Sequence, residues 1–398
     1  MRRVRSNTGP GVARSRYWMI LRQTPILLRM RMMTIDEHRD AGAAPADWRL
    51  GIPEERRRPI RAWLWCIAAM TLGVLVVGGI TRLTLSGLSI VDWEPLMGVI
   101  PPLSDAQWQD AFDAYRQFPD YDWRTGMSLA EFKFIFFWEY LHRLLARLIG
   151  VVFLVPFLWF AARGYFNRPL MLRALALFGL GAMQGVLGWF MVMSGLVDRP
   201  SVSHYRLAAH LSLAFIIFGY ALWLARDLRT ESVRLAIDAR LKRFLTRGLM
   251  LVGAILCGQI VWGAFVAGLR AGKFYPTFPL MGGRLVPAEL LDLDPLARNF
   301  LENPIAVQWV HRVIGTLLLV ITAVFVLHML RDATADEHSR RLGMLLLALL
   351  AIQYLLGVVT LLHLVPVGLG VIHQATALIV FGAWLWWLHH VRNLAVVN

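Results

Sequence analysis

The chain has 398 residues, of which 57% are hydrophobic and only 17% are charged, and its formal net charge is +15. Soluble domains usually contain about 25% charged residues, so this composition excludes an ordinary soluble protein and favours one embedded in a membrane. A nucleic-acid-binding protein is also excluded, because binding of that kind needs a basic soluble domain and the Lys and Arg residues lie in a tail and in short loops.

Uncharged stretches long enough to cross a bilayer recur along the chain and predict eight transmembrane helices. The clear stretches are 62–81, 174–197, 207–225, 248–269, 313–330, 342–362 and 364–391. The second span is less clear, because Arg147 interrupts it and only residues 148–162 are free of charge. The predicted fold class is therefore an all-α integral membrane protein with eight transmembrane helices.

The distribution of charge predicts the orientation of these helices. Lys and Arg are concentrated in residues 1–60, 163–168, 226–247 and 331–341, whereas the long loop after the first span is acidic. Because cytoplasmic segments carry the excess of positive charge, we predict that both termini are cytoplasmic and that the long loops after spans one and five are outside. Residues 1–60 are interpreted as a basic, disordered, cytoplasmic tail.

Short motifs occur twice in the same order, which indicates two copies of a four-helix unit. The repeated motifs are PLMG at 95–98 and 279–282, HR at 142–143 and 311–312, and QxxxG at 184–188 and 353–357. A repeat of four spans preserves orientation, so the copies are predicted to be four-helix bundles related by a pseudo-two-fold axis along the membrane normal. The predicted halves are residues 61–226 and 248–391, joined by a basic cytoplasmic linker at 227–247.

Four histidines repeat in register in these spans, as the pair His142 and His210 and the pair His311 and His373. A histidine inside a membrane span is costly unless it is paired or bound, and neutral imidazole is a common ligand of haem iron. Two imidazoles on facing helices of a bundle can hold one iron, so each half is predicted to bind one haem near the outer surface. Zinc is disfavoured, because each half offers two histidines, no cysteine and at most one carboxylate.

The two halves differ beside the first histidine of each pair. Glu139 lies three residues before His142 and on the same helix face, whereas the equivalent residue of the second half is Gln308. A carboxylate there could transfer protons, or it could pair with Arg143 at the water interface. Glycines inside the spans leave two interpretations open, room for a flat macrocycle or close helix packing. These glycines are Gly78, Gly79, Gly188, Gly263 and Gly357.

Several segments resemble the haem A synthase family, in its proteobacterial and mitochondrial branch, from about residue 60 to residue 390. The segments that carry the resemblance are EFKFIFFWEYLHRLLARLIG, QGVLGWFMVMSGL, YRLAAHLSLAF, AGKFYPTFPLMGG, VQWVHRVIGT and VIHQATAL. The resemblance implies an enzyme that oxidises the C8 methyl group of haem O to a formyl group, giving haem A for a terminal cytochrome oxidase.

The resemblance also implies roles for the repeated histidines. His311 and His373 would ligate a haem b cofactor, His142 and His210 would face the iron of the substrate haem O, and Glu139 would be the functional glutamate. The implied partners are haem O, membrane lipid, haem O synthase and cytochrome oxidase assembly factors. The expected location is the bacterial inner membrane, with the mitochondrial inner membrane as the alternative.

Two other functions are compatible with four repeated histidines or with a parallel repeat. A di-haem b-type membrane electron carrier would need the same axial ligands, but it would not need a carboxylate on one side only. A transporter with parallel repeats would usually have broken helices at mid-membrane, whereas the polar residues here lie near the outer ends of the spans. The difference between Glu139 and Gln308 therefore favours the enzyme.

Overall fold

A computed structural model describes residues 51–91, 99–196, 202–229 and 236–397 of the chain. Within these ranges, eight helices are long and apolar enough to cross a membrane, which confirms the predicted fold class. They are α1 (Glu54–Leu83), α2 (Leu129–Ala162), α3 (Arg168–Leu196), α4 (His204–Asp227), α5 (Ala239–Gly268), α6 (Pro304–Arg331), α7 (Glu337–Leu362) and α8 (Val367–Asn393). Most of the predicted tail and the first PLMG motif lie outside the described residues.

The helices extend beyond the charge-free stretches of the sequence, because the ends of a spanning helix lie in polar surroundings and tolerate charge. α2 shows the largest extension. It begins at Leu129 with a capping box in which Ser128 and Glu131 bond each other's backbone N–H groups. His142 consequently lies well inside α2 rather than at its start. α5 begins at Ala239, so it includes part of the segment that the sequence suggested as a linker.

The helices pack in the same pattern in α1–α4, here called the N-terminal half, and in α5–α8, the C-terminal half. α1 packs against α2 and α4, and α5 packs against α6 and α8. The halves meet where α4 contacts α5 and α8, and where α8 contacts α1. Polar bonds cross this boundary: Gln374 Nε2 of α8 donates to the Leu75 carbonyl of α1 at 3.0 Å, and Arg82 of α1 donates to the Gly268 carbonyl of α5 at 2.9 Å.

The two ends of the bundle are closed differently. At the end that carries the repeated histidines, a helix at Asp105–Tyr115 packs on α2 through an aromatic cluster that includes Phe112, Tyr115 and Phe132. At the opposite end, β1 (Ala236–Asp238) and β2 (Ala395–Val397) form a parallel pair that the sequence did not suggest. The repeated histidines all lie in the half of their helices that is nearer the long loops.

Candidate functional site

The four repeated histidines share one packing arrangement. In each case the imidazole lies against a glycine of the preceding helix, where a Cβ atom would come within 2.7–3.1 Å of the ring Cε1 atom. The four contacts are His142 on Gly78, His210 on Gly188, His311 on Gly263 and His373 on Gly357. These glycines therefore make room for imidazole rings, which neither of the two interpretations drawn from the sequence had specified.

The repeat of the sequence is displaced by one residue in α1. The PLMG motifs align Gly79 with Gly263, but it is Gly78 that lies against His142. Gly79 instead faces the side chain of Gln374, which crosses from α8 to the carbonyl of Leu75. One residue corresponds to about 100° of helix rotation, so this displacement gives α1 both an internal face for His142 and an interface with the other half.

Each half brings its own two histidines together. His142 lies near His210, and His311 lies near His373. The Nδ1 atom of each of the four rings is buried, and each ring lies near a backbone carbonyl four residues before the glycine that it contacts, at Val74, Gln184, Gln259 and Gln353. A carbonyl near one nitrogen of an imidazole orients the ring, so that the other nitrogen could ligate a metal.

This arrangement fits haem iron better than a zinc ion. A bis-imidazole haem site needs two protein ligands and apolar walls, which each half supplies. In the part of the chain that the structure describes, no group of three or more His, Cys, Asp or Glu side chains could hold a metal ion. The two cysteines, Cys66 and Cys257, are exposed on the helix surface.

Glutamines hold three of the four histidines from the helix on which each ring rests. The amides of Gln184 and Gln353 donate to the backbone carbonyls of His210 and His373, at 3.1 and 3.0 Å. The amide nitrogen of Gln259 lies 3.3 Å from Nε2 of His311. The QxxxG motif therefore supplies both a glycine surface and an amide to the same histidine.

Glu139 is buried, with 2% of its surface exposed, and both of its carboxylate oxygens are engaged. Oε2 accepts from the backbone N–H groups of Ser89 and Ile90, at 2.7 and 2.8 Å, and from the Ser89 hydroxyl at 2.7 Å. Oε1 accepts from Arg143 at 2.7 Å. The carboxylate thus pairs with Arg143, but inside the protein rather than at the water interface.

In the C-terminal half, the residue equivalent to Glu139 donates a hydrogen bond to the loop instead of accepting one. Gln308 is also buried, and its amide donates to the carbonyl of Tyr275 at 3.3 Å, which Arg312 bonds at 2.7 Å. The Tyr275 hydroxyl donates to Glu289, and this hydrogen bond raises the pKa of Tyr275. Both halves therefore hold the segment that follows their first helix, but only the N-terminal half does so with a negative charge.

The partners of Glu139 were not identified from the sequence. Ser89 and Ile90 lie about 50 residues earlier in a loop, where nothing in the local pattern marks them as contacts of a buried carboxylate. Three other histidines contact polar groups of the protein. His389 bonds Asp227 at 3.0 Å, His390 bonds Asp336 at 3.1 Å, and His363 lies 2.8 Å from the Val359 carbonyl.

Comparison with known proteins relates the chain to one family over nearly all of the described residues. A family model described as cytochrome oxidase assembly protein matches residues 61–385. The heme A synthase of Nitrosospira multiformis is 47% identical over 338 residues, which cover 85% of this chain and 94% of that protein. The heme A synthases of Rhodospirillum centenum and Parvibaculum lavamentivorans are 47% and 46% identical, over 84% of this chain and 89% and 93% of those proteins.

Proposed function

This chain belongs to the haem A synthase family and makes haem A, and we propose that it does so by oxidising the C8 methyl group of haem O to a formyl group. The observation that carries this proposal is the unequal pair of histidine sites. Both halves hold two imidazoles over glycines, but a buried carboxylate adjoins only the pair formed by His142 and His210. A chain that only carried electrons would have no use for that difference.

We assign the substrate to the N-terminal half. His142 and His210 would hold the iron of haem O, and the glycines beneath their rings would fix the direction in which the two imidazoles face each other. Rings that are held in this way lose little freedom when the substrate binds, because their rotamers are already selected by packing. A macrocycle held by these two histidines would lie beside α2, the helix that also carries Glu139.

Glu139 would hold or move a proton during the oxidation. Its oxygens now accept four hydrogen bonds, from Ser89, Ile90 and Arg143. These donors fix the position of the carboxylate on the same helix as His142, where a proton acceptor or donor would be needed. The Ser89–Ile90 segment belongs to the loop after α1, which makes the loop a partner in positioning the carboxylate.

We assign haem b to His311 and His373 in the C-terminal half. When bound there, haem b would accept and pass on electrons, as haem groups do. Gln259 and Gln353 would orient the two imidazoles through the contacts already described. The neutral Gln308 beside this pair is consistent with a site that needs no proton transfer.

The proposed setting is the bacterial inner membrane, with both termini cytoplasmic and both histidine pairs near the outer surface. The protein-level partners proposed are haem O synthase, which would supply the substrate, and assembly factors of cytochrome oxidase, which would receive the product. Membrane lipid surrounds the eight helices.

Pigment analysis of the purified protein tests this function. The chain is expressed together with a haem O synthase, and the extracted haems are separated by chromatography. Haem b together with haem O or haem A supports the synthase, whereas haem b alone supports the di-haem electron carrier. Conversion of added haem O to haem A by the purified protein would complete the assignment.

A further inference from the structure

α3 is the least covered of the eight helices. Within its most apolar 18-residue stretch, 6% of the residues are buried, compared with 17% in α7, its counterpart in the C-terminal half. One stripe of α3 is exposed at every position, with the spacing i, i+3, i+4 and i+7 that defines a single helix face. This stripe consists of Phe178, Gly181, Ala182 and Gly185.

The corresponding stripe of α7 is covered. Aligning the QxxxG motifs of the two helices matches the exposed residues of α3 with four residues of α7 that are buried or half-buried. These are Leu347, Leu350, Ala351 and Tyr354. In the N-terminal half, Gly181 and Gly185 stand where the C-terminal half has Leu350 and Tyr354, and these are the two largest differences in side-chain volume between the stripes.

The helix beside this stripe, α2 in the N-terminal half and α6 in the C-terminal half, also differs between the halves. In the C-terminal half, the hydroxyl groups of Thr316 on α6 and Tyr354 on α7 lie 3.0 Å apart and join the two helices. Arg147 and Gly185 occupy those positions in the N-terminal half, and Gly150 replaces the half-buried Leu319. A Cβ atom added at Gly150, Gly181 or Gly185 would meet no atom within 4 Å.

At these positions α2 and α3 lack the bridging side chains of the C-terminal half, and the open space beside them, bordered by Arg147, Gly150, Gly181 and Gly185, is here called the α2–α3 slot. At mid-helix the slot ends where Phe153 stacks on Phe178, with ring centroids 5.6 Å apart. In the other direction α3 continues from Gly185 to Gly188, the glycine beneath His210, about 5 Å further along the axis. The slot therefore extends along the exposed surface of α3 towards the glycine beneath His210.

We propose that the α2–α3 slot holds the isoprenoid tail of the substrate haem and is the path by which that haem enters from the bilayer. The inference rests on the proposed function, which places haem O in the N-terminal half and haem b in the C-terminal half. The two haems differ by the long hydrocarbon tail that haem O carries and haem b lacks. The half with the tailed haem has the open slot, and the half with the tailless haem is closed at the equivalent place.

The chemistry of the slot matches that occupant. Three of its four lining residues are glycines, whose exposed backbone surface suits a hydrocarbon chain, and the fourth, Arg147, is charged and half-buried. Glycine allows a ligand to approach the helix backbone closely. A tail that lies partly in the slot and partly in lipid also leaves without crossing a polar surface, which suits a substrate that must be released as product.

The test is to fill the slot with the residues of the closed half, by the double substitution Gly181→Leu and Gly185→Tyr. The matched control is Gly179→Leu, because Gly179 also has open space but lies about 100° around α3 from Phe178. Purified proteins that already carry haem b are titrated with haem O and with tailless protohaem, and binding is followed by the change in haem absorbance.

The filled variant is expected to bind haem O about ten- to a hundredfold more weakly than the unaltered protein, the cost of forcing extra side-chain volume into an occupied space. Its binding of protohaem at the N-terminal half and its haem b spectrum should not change, and Gly179→Leu should behave like the unaltered protein. If the double variant does not retain haem b, Gly185→Tyr alone is measured in the same way.

If the filled variant binds haem O as tightly as the unaltered protein does, the proposed role of the slot is wrong. It is also wrong if the binding of haem O and of protohaem is weakened equally, because that result would indicate a distorted histidine pair. Equal affinity of the unaltered protein for the two haems would also overturn the proposed role. Tail-dependent binding without any formation of haem A would instead contradict the proposed function and leave the slot intact, so the two failures are distinguishable.

Discussion

Replacement of Glu139 by Gln separates a chemical role of the carboxylate from a structural one. The side chain keeps its size, but one oxygen that accepts hydrogen bonds becomes an amide that donates them. If the remaining oxygen stays with Ser89 and Ile90, the new amide faces Arg143, and two donors meet where an ion pair stood at 2.7 Å. Gln308 does not show that an amide is tolerated there, because it donates to a carbonyl.

The magnitude follows from the bonds that are lost. A hydrogen bond to a charged group contributes about 1.5–3 kcal/mol, so Glu139→Gln should lower the free energy of unfolding by about that amount. The loss is moderate because Arg143 keeps its bond to the Ile90 carbonyl at 2.9 Å. Loss of a general acid or base should reduce the rate by about 10²–10⁴-fold, which is far more than a moderate loss of folded protein explains.

Ser89→Ala is the matched control, because it removes one donor to the same oxygen and leaves the carboxylate in place. Membranes with each variant are assayed for haem b by absorbance, for thermal stability, and for haem O and haem A by chromatography of extracted haems. Glu139→Gln should retain haem b and accumulate haem O or a hydroxylated intermediate, while Ser89→Ala should still make haem A. If the amount of haem A follows the amount of folded protein in both variants, the proton-transfer role is falsified. Glu139 would then only hold the loop that contains Ser89 and Ile90 in place.

Three further predictions concern the histidines and their surroundings. His311→Ala or His373→Ala should remove or strongly weaken the low-spin haem b spectrum, and an unchanged spectrum in both variants would refute the assignment. Gly357→Ala should shift or weaken the same spectrum because its Cβ atom would lie 2.9 Å from the His373 ring, while Gly258→Ala, which meets no atom within 4 Å, should leave it unchanged. Reporter fusions in the loops after α1 and α5 should report the outer side of the membrane, and a cytoplasmic signal from either loop would contradict the proposed orientation.

The sequence predicted the helices well, because membrane spans are selected by a simple physical requirement. Each span must be long, apolar and internally hydrogen-bonded, and those properties are visible in composition. The ends of the helices were less predictable. A charge-free window marks the segment within hydrocarbon, whereas α1 begins at Glu54 and continues through several arginines before that window. The capping box at Ser128 was a local signal that would have located the start of α2.

The contacts within the site could be predicted only where both copies of the repeat contain the same residues. The pairing of His142 with His210 followed from its match to the second pair, since two copies of one unit place equivalent residues alike. The contact of His142 with Gly78 did not follow, because the motif alignment selects Gly79 and a shift of one residue changes the helix face. The contacts of Glu139 with Ser89 and Ile90 depend on how a loop folds back, which no periodic pattern records.

A feature that both halves share cannot explain a reaction that takes place in only one of them. The histidine-on-glycine contacts occur in all four places, so they could account for the proposed binding of haem iron but not for a reaction. The features that could account for a reaction must differ between the halves. Glu139 against Gln308 is one such difference, and the α2–α3 slot against the bridge between Thr316 and Tyr354 is another. Both lie beside His142 and His210, so a carboxylate and an opening to the lipid occur together at the pair assigned to the substrate, as a site that alters and releases a lipophilic haem requires.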